Sequence, residues 1–278
     1  MKSRQWKKIL IHIVLIIGSL IFFIPFLWTI STSLKTDQQI QDISSLKSIL
    51  IPDPVAFENY PKALTFVNFP RYFLNSVIVS GLAILGTVIS CSLVAYSFAR
   101  LRWPGRDLVF IIVLSTMMLP PQVTMIPVFL IFTKLGLVNT LVPLYLPQCF
   151  GVAFFIFMLR QFFLTIPRSL EEAAKIDGAG YLRIFLKIML PLIKPALLAV
   201  IVFQFMWTWN DFVNPLIYIH DKDKMTLTIG LQAFNRVHGA EWNLLMAASV
   251  MMTLPVIILF FFAQRYFIEG ITLTGMKE

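Results

Sequence analysis

Charged side chains are scarce in this sequence. Of its 278 residues, 13% are charged and 58% are hydrophobic, whereas a soluble domain carries about 25% charged residues. This deficit excludes an ordinary soluble globular domain. Cysteine is scarce too, because only Cys91 and Cys149 occur, far apart and in apolar stretches. Such a pair predicts neither a disulfide framework nor a metal site.

Motifs of catalytic sites are absent from the sequence. There is no G-x-x-x-x-G-K-[ST] phosphate loop, so the chain is not a P-loop ATPase. There is no G-x-S-x-G nucleophile motif, and His12, His220 and His238 show no metal-binding spacing. A membrane-embedded enzyme is therefore the weaker alternative. A proton- or sodium-coupled carrier is weaker too, because it needs ionisable groups at mid-membrane and only Asp211 comes close.

Basic residues outnumber acidic ones, and the net charge is +9. Nucleic-acid binding would explain such a charge, but no basic stretch is interleaved with exposed aromatics. Cationic loops beside a membrane explain it better. We therefore expect a lipid bilayer, and no nucleic acid, among the partners.

Long uncharged runs are abundant. The first, Ile9 to Ile30, follows four basic residues but exceeds the about 7–15 apolar residues of a signal peptide. It can cross about 30 Å of hydrocarbon, so we predict a retained first helix, with cleavage as the alternative. Five more spans are predicted at Phe73–Ala99, Leu108–Thr133, Leu135–Leu159, about Pro191 to Val213, and between Glu241 and Arg265. The predicted fold is all-α: a polytopic membrane protein with six transmembrane helices in a single domain over residues 1–278.

Three prolines, Pro120, Pro121 and Pro127, interrupt the third predicted span. Proline removes a backbone donor, and in a membrane such a break survives where protein or a water-filled cavity satisfies the freed groups. Two interpretations stay open. The prolines line a path through the membrane, or they mark the outer end of the helix.

The distribution of Lys and Arg predicts the orientation. One side, formed by the amino terminus, residues 100–107, residues 160–194 and the tail, holds 15 of the 23 basic residues. Loops richer in Lys and Arg face the cytoplasm. We therefore expect both termini and the long loop at 160–194 to be cytoplasmic.

A polar segment, Thr165 to Pro191, carries strong helix signals. Pro167 suits a first helical turn, where a missing N–H is no loss. Asp177-Gly178 is expected to end the helix, because glycine accepts the left-handed conformation. A second helix, Tyr181 to Leu190, is expected to return the chain to the membrane.

Two faces are predicted for the first of these helices. Leu170, Ala173 and Ala174 fall at i, i+3 and i+4 and form a small apolar face that permits close approach. Glu171 and Glu172 complement the amino end of the helix dipole and form an acidic face that can pair with arginines of a partner. An ordinary amphipathic helix, solvated on one side, is the alternative.

The run Glu171-Glu172-Ala173-Ala174-Lys175-Ile176-Asp177-Gly178-Ala179, followed by Ile188-Met189-Leu190-Pro191-Leu192, resembles the EAA loop of ABC importer permeases. In that family the loop forms a coupling helix between transmembrane helices 4 and 5, which docks in a cleft of the cytoplasmic ATPase. Gly180 stands where serine or threonine is common, a departure that leaves docking intact. The resemblance places an EAA loop at about 165–191 and implies an ATPase-coupling role for Glu171, Glu172, Ala173, Ala174, Asp177 and Gly178.

Further segments resemble those of carbohydrate importer permeases, and the segment in the first span resembles their MalG-like half. They are Trp209-Asn210-Asp211-Phe212 with Pro215-Leu216, Gln264-Arg265-Tyr266-Phe267 with Gly270, and Pro25-Phe26-Leu27-Trp28 with Ser31-Thr32-Ser33-Leu34-Lys35. The likeness implies a sugar or oligosaccharide as substrate, with another small polar solute as the alternative. The tail Gly275-Met276-Lys277-Glu278 departs from the family's usual ending, which puts a contact between the tail and the ATPase in doubt.

The same resemblance implies the partners. It describes a non-enzymatic permease in the bacterial cytoplasmic membrane that pairs with a second, homologous permease chain. Two copies of a cytoplasmic ATPase and an extracytoplasmic binding protein complete the importer. ATP and Mg²⁺ would bind to the ATPase, and no cofactor is expected in this chain.

Polar and aromatic residues near the outer end of the fifth predicted span are candidates for the path or a gate: Gln204, Trp207, Trp209, Asn210 and Asp211. Aromatic faces can stack on sugar rings, and polar intramembrane side chains usually face the bundle interior or a cavity. Interface anchoring is the alternative for the tryptophans. Asn75 and Gln148 are further candidates, although either could hold helices together.

Overall fold

The computed structural model describes residues 2–42, 46–236 and 239–275, and they are helical almost throughout. Asn235–Arg236 and Gly239–Ala240 form a short antiparallel pair of strands. His238 and the tail residues from Met276 to Glu278 lie outside the described residues, and so do the side chains of the Gln264-Arg265-Tyr266-Phe267 segment beyond Gln264.

Four helices are each long and apolar enough to cross a membrane. In lipid an α-helix satisfies its own backbone polar groups, so uncharged runs of this length fold as helices. The segments that meet these criteria are Trp6–Ser33 within the helix Lys2–Ser33, Phe69–Arg100, Val142–Thr165, and Trp242–Gln264 within the helix Trp242–Gly275.

Two further spans are bent pairs of helices. Arg106–Met118 and Pro121–Lys134 meet at 101°, and Tyr181–Leu192 and Lys194–Trp209 meet at 78°. With each bent pair counted as one span, the described residues carry six. The predicted all-α, polytopic fold is therefore confirmed.

Prolines explain both bends. Pro120 has an extended backbone, and Pro121 opens the next helix. Pro195 lies in the first turn of Lys194–Trp209 and has no N–H to donate to the carbonyl four residues earlier. The break in the third span falls at the prolines that the sequence singled out, whereas the bend of the fifth span was not predicted, because its uncharged stretch was taken as continuous helix.

The fourth span also differs from its prediction. It begins at Val142 rather than Leu135 and continues to Thr165 rather than Leu159. Its parts are Val142–Tyr145, the 3-10 turn Leu146–Phe150 and Ala153–Thr165. Gly151, with φ +101°, makes the break between them.

Shorter helices connect the spans. The α-helices are Asp37–Gln41, Leu46–Leu50, Asn59–Phe66, Ser169–Ile176, Val213–Tyr218 and Leu227–Gly230. Further 3-10 turns lie at Thr116–Met118, Lys222–Lys224 and Leu231–Phe234. Within Tyr181–Leu192 the residues Phe185–Met189 form a π-helical turn between Tyr181–Ile184 and Leu190–Leu192.

The chain divides into two compact units. The first comprises Met1–Pro70 and Gly230–Pro255. Buried Asn59 organises it, because its side-chain amide donates to the carbonyls of Ser33 (2.9 Å) and Lys35 (2.8 Å). These bonds satisfy carbonyls at and just beyond the end of the first spanning helix, where the last carbonyls have no partner within the helix.

The second unit comprises Arg71–Ile229 and Val256–Glu278 and holds a large apolar core. Close approach is possible at Gly86, where an added Cβ would lie 2.2 Å from the Cys149 sulfur. Cys91 is buried, and its sulfur accepts a hydrogen bond from the Val152 N–H at 3.2 Å. Both cysteines are free thiols that serve packing between the second and fourth spans.

Candidate functional site

The segment with the strongest sequence signals forms a separate two-turn helix, Ser169–Ile176, which we call the loop helix. Its first bonds run from the N–H groups of Glu171 and Glu172 to the Arg168 carbonyl, at 3.0 and 3.1 Å. Pro167 lies two residues before the helix rather than in its first turn. The acidic residues occupy the first turn, where they complement the helix dipole.

The loop helix ends at the predicted place. Gly178 has φ +78°, a left-handed conformation that glycine adopts without a steric penalty. The Gly178 N–H donates to the Lys175 carbonyl at 3.0 Å, and the Ala179 N–H donates to the Ala174 carbonyl at 2.9 Å. This pair of bonds is the Schellman arrangement. Asp177-Gly178 is therefore confirmed as the end of the helix.

Burial divides the loop helix into an inner and an outer face. Glu171 and Ala174 are buried, and Ala174 packs against the core of the second unit. Glu172 and Ala173 are exposed, and Ile176 is 87% exposed. A single exposed apolar face of Leu170, Ala173 and Ala174 was predicted. Ala174 points inward, so the prediction was wrong for that residue. Ile176, which the sequence reasoning missed, stands on the outer face instead.

Glu171 pairs with an arginine of its own chain. The Arg100 Nε lies 3.3 Å from the Glu171 Oε1, and the two side chains are 3% and 9% exposed. The expectation that the Glu171 carboxylate faces a partner's arginine is therefore wrong. Arg100 was missed as a site residue because it was counted only as one of the positive charges after the second span.

Arg100 also bonds two backbone carbonyls. Its Nη2 donates to the carbonyls of Phe163 and Ile166. These carbonyls close the helix Ala153–Thr165, where the negative end of the helix dipole favours a cation. One guanidinium therefore contacts the ends of two spanning helices and the loop helix.

A cavity of about 330 Å³ adjoins this ion pair. Basic side chains outnumber acidic ones around it, so its field favours anionic groups. The Lys175 ammonium lies 5.0 Å from the centre of the Tyr181 ring, in cation-π contact. The charged lining residues are Arg100, Arg102, Arg168, Lys175, Glu171 and Glu172.

Two of the predicted path residues are buried within the chain. Gln204 is 1% exposed, and its Nε2 donates to the Thr208 hydroxyl at 2.8 Å. Trp209 is 2% exposed and stacks on the Phe205 ring with 5.1 Å between centroids. These two contacts lie within the helix Lys194–Trp209, and both side chains are buried inside the chain. That they face a path stays a prediction.

The other three path candidates reach the surface. Trp207 is 51% exposed, and its ring lies 5.0 Å from that of Phe155. Asn210 is exposed and donates to the Met206 carbonyl at 2.8 Å. The Asp211 carboxylate accepts bonds from the backbone N–H and side-chain amide of Asn214, at 3.2 and 2.7 Å. Both polar residues therefore cap helix ends as well as facing outward.

Asn75 holds elements together. Its side-chain amide donates to the carbonyls of Asp223 and Met225, each at 2.9 Å.

Gln148 lies in the 3-10 turn of the fourth span, and its Oε1 is buried without a hydrogen-bond partner among the described residues. Asn139, which the sequence reasoning missed, adopts φ +62° and orders the 220–221 backbone by accepting two N–H bonds at its Oδ1.

Comparison with known proteins identifies the architecture. Residues 89–272, which include the loop helix and the Arg100 contact, match the family described as "Binding-protein-dependent transport system inner membrane component". The chain belongs to this family.

Two relatives and one structure resemble this permease over most of its length. It is 37% identical to the diacetylchitobiose uptake system permease protein NgcG of Streptomyces coelicolor, over 91% of this chain and 84% of that protein. It is 34% identical to the trehalose/maltose transport system permease protein MalG of Thermococcus litoralis, over 100% of this chain and 99% of that protein. A chain of a bacterial ABC transporter involved in the import of the acidic polysaccharide alginate superposes with a TM-score of 0.83, at 25% identity, over 96% of this chain and 98% of that chain. The resemblance to ABC importer permeases is thereby confirmed.

Proposed function

We propose that this permease carries a sugar or oligosaccharide across the cytoplasmic membrane and is driven by a separate ATPase that grips its loop helix. The observation that carries the proposal is the loop helix itself, which closes at Gly178 and leaves an apolar side chain, Ile176, 87% exposed. Burial of the Ile176 side chain in a cleft of the ATPase would remove apolar surface from water and so favour docking.

The outer face of the loop helix would form the contact. Glu172 and Ala173 lie on it with Ile176, while the buried Glu171 and Ala174 hold the helix on the bundle. Small Ala173 permits close approach, and the exposed Glu172 carboxylate can pair with a basic group of the ATPase. Asp177 and Gly178 set where this surface ends.

The rest of the importer follows by analogy with the family. Two ATPase subunits would bind ATP and Mg²⁺, and a second, homologous permease chain and an extracytoplasmic binding protein would complete it. The chain would act as one permease domain over residues 1–278, with both termini and the 165–191 loop in the cytoplasm. The excess of Lys and Arg on that side supports this orientation.

The named sugar substrates of the two relatives support a carbohydrate cargo. Trp207, Asn210 and Asp211 would face the path, because they combine exposed aromatic surface with amide and carboxylate groups. Gln204 and Trp209 would set the shape of that region from behind. Mass spectrometry of the ligand on the co-purifying binding protein tests the cargo, and a non-sugar solute there would contradict it.

A charge reversal tests the coupling role. We expect Glu172→Lys to reduce the amount of ATPase that co-purifies with the tagged permease and to reduce uptake in proteoliposomes to match. Asp107→Lys is the matched control, because Asp107 is an exposed acid on the same predicted side but outside the loop helix. Wild-type levels of ATPase and uptake with Glu172→Lys would contradict the proposal.

A further inference from the structure

Three structural elements meet at the Arg100 guanidinium. Arg100 is the last residue of the second spanning helix, Phe69–Arg100. Its Nη2 donates to the two carbonyls at the end of the fourth span, and its Nε lies 3.3 Å from the Glu171 Oε1 on the loop helix. Along the chain, the third and fourth spans separate the end of the second spanning helix from the loop helix.

The contact between Arg100 and Glu171 is buried, so water cannot take the place of either side chain as a partner of the other. The two side chains are 3% and 9% exposed. Within the described part of the chain, the Arg100 Nε and the Glu171 Oε1 have no hydrogen-bond partner besides this ion pair. Removing either charge leaves the other buried and uncompensated.

The geometry needs arginine. Its planar guanidinium presents donors in several directions, so one group can reach the carbonyls and the carboxylate together. A lysine ammonium carries the same charge at a single point and cannot span all three acceptors. Arg100→Lys therefore keeps the positive charge but removes the planar set of donors that reaches all three acceptors.

We propose that Arg100 is a positioning residue that fixes the loop helix to the ends of the second and fourth spanning helices, so that a displacement of the loop helix moves both. This inference rests on the proposed function, because it assigns the contact through which ATP-driven movement of the loop helix reaches the bundle. Arg100 touches no reacting group and acts through Glu171.

The chain supplies a matched control in Arg160. Its Nε donates to the Phe98 carbonyl at 3.4 Å, and its guanidinium lies 4.3 Å from the centre of the Phe110 ring. Arg160 therefore joins the fourth span to the end of the second, as Arg100 does, and makes no recorded contact with the loop helix in the described structure. A role in packing the spans is shared by both arginines, whereas a link to the loop helix is specific to Arg100.

The experiment compares Arg100→Lys, Glu171→Gln and Arg160→Lys in the assembled importer, reconstituted in proteoliposomes with its binding protein. The readouts are the ATPase that co-purifies, the ATPase rate with and without binding protein, and substrate taken up per ATP hydrolysed. We expect Arg100→Lys and Glu171→Gln to retain the ATPase but to lower uptake per ATP by about tenfold, within the range of typical coupling free energies. Arg160→Lys should leave that ratio unchanged.

A double variant tests whether the two residues act as one contact. Arg100→Lys with Glu171→Gln should lower uptake per ATP no further than either change alone. An unchanged ratio in both single variants would overturn the inference. So would a smaller amount of importer that transports normally per ATP, because that result describes packing only. Failure of the wild-type chain to retain any ATPase would instead refute the proposed function.

Discussion

The end of the loop helix depends on one left-handed residue, which a pair of serine substitutions can test. Gly178 has φ +78° and Gly180 has φ −72°, and a Cβ added at either position meets no atom within 4 Å. A side chain therefore has room at both positions, and the two positions differ only in backbone conformation. We expect Gly178→Ser to destabilise the end of the loop helix and Gly180→Ser to stabilise the start of the next helix.

The magnitude follows from the backbone. A left-handed conformation costs a residue with a Cβ about 1–2 kcal/mol. Replacing a glycine also restricts the unfolded chain, but that gain applies at both positions and cancels in the comparison. Gly180 has φ −72° and ψ 163° at the N-cap of Tyr181–Ile184, where a serine hydroxyl can accept a backbone N–H bond. The two variants should therefore differ by at least about 1–2 kcal/mol in local stability.

Hydrogen exchange at the end of the loop helix measures this difference. The Gly178 and Ala179 amides donate the two closing bonds, to Lys175 and Ala174. The Ala179 amide should exchange about 5–30-fold faster in Gly178→Ser than in Gly180→Ser, once intrinsic rates are corrected. Equal protection in the two variants would show that the left-handed conformation of Gly178 does not limit the helix.

Two further predictions concern other parts of the second unit. Gly86→Ala should lower the free energy of unfolding by about 1–3 kcal/mol, because the added methyl group overpacks against Cys149. Gly81 lies in the same helix, and a Cβ added there meets no atom within 4 Å, so Gly81→Ala should be neutral or mildly stabilising. The Asp223 backbone N–H, which bonds the Asp221 carboxylate, lowers the pKa of Asp221. The order of this turn should thus be complete above the ordinary aspartate pKa and be lost as pH falls through the lowered value. The protection factor of the Asp223 amide, which is its exchange rate corrected for the intrinsic rate, measures this loss. Asp221→Asn should remove the pH dependence of that protection factor.

Local signals predicted the local structure well. The loop helix ends at Gly178 because the left-handed conformation is a property of one residue and its neighbours. The spans were found because uncharged length is also a local property. The break of the third span was predicted from its prolines, but the bend at Pro195 was not, and the size of each bend depends on what packs around the break.

Residue roles that depend on distant partners were not predictable from the pattern. Arg100 and Glu171 are 71 positions apart, and only the fold brings them to 3.3 Å. Trp209 and Trp207 are two residues apart in one helix, yet one is 2% exposed and the other 51%. Helical position sets their directions, but the neighbours that bury one of them come from other segments.

Adjacent glutamates on the loop helix have opposite surroundings, and this separates two steps of the proposed coupling. Successive residues of an α-helix point about 100° apart, so Glu172 faces outward while the Glu171 carboxylate faces Arg100. Docking would depend on the outer residue, and transmission into the bundle would depend on the inner one. A change at Glu172 should therefore reduce ATPase binding, whereas a change at Glu171 should spare binding and reduce uptake per ATP. If both changes reduced ATPase binding equally, the helix would act as one docking surface and the burial of Glu171 would have no separate role in transport.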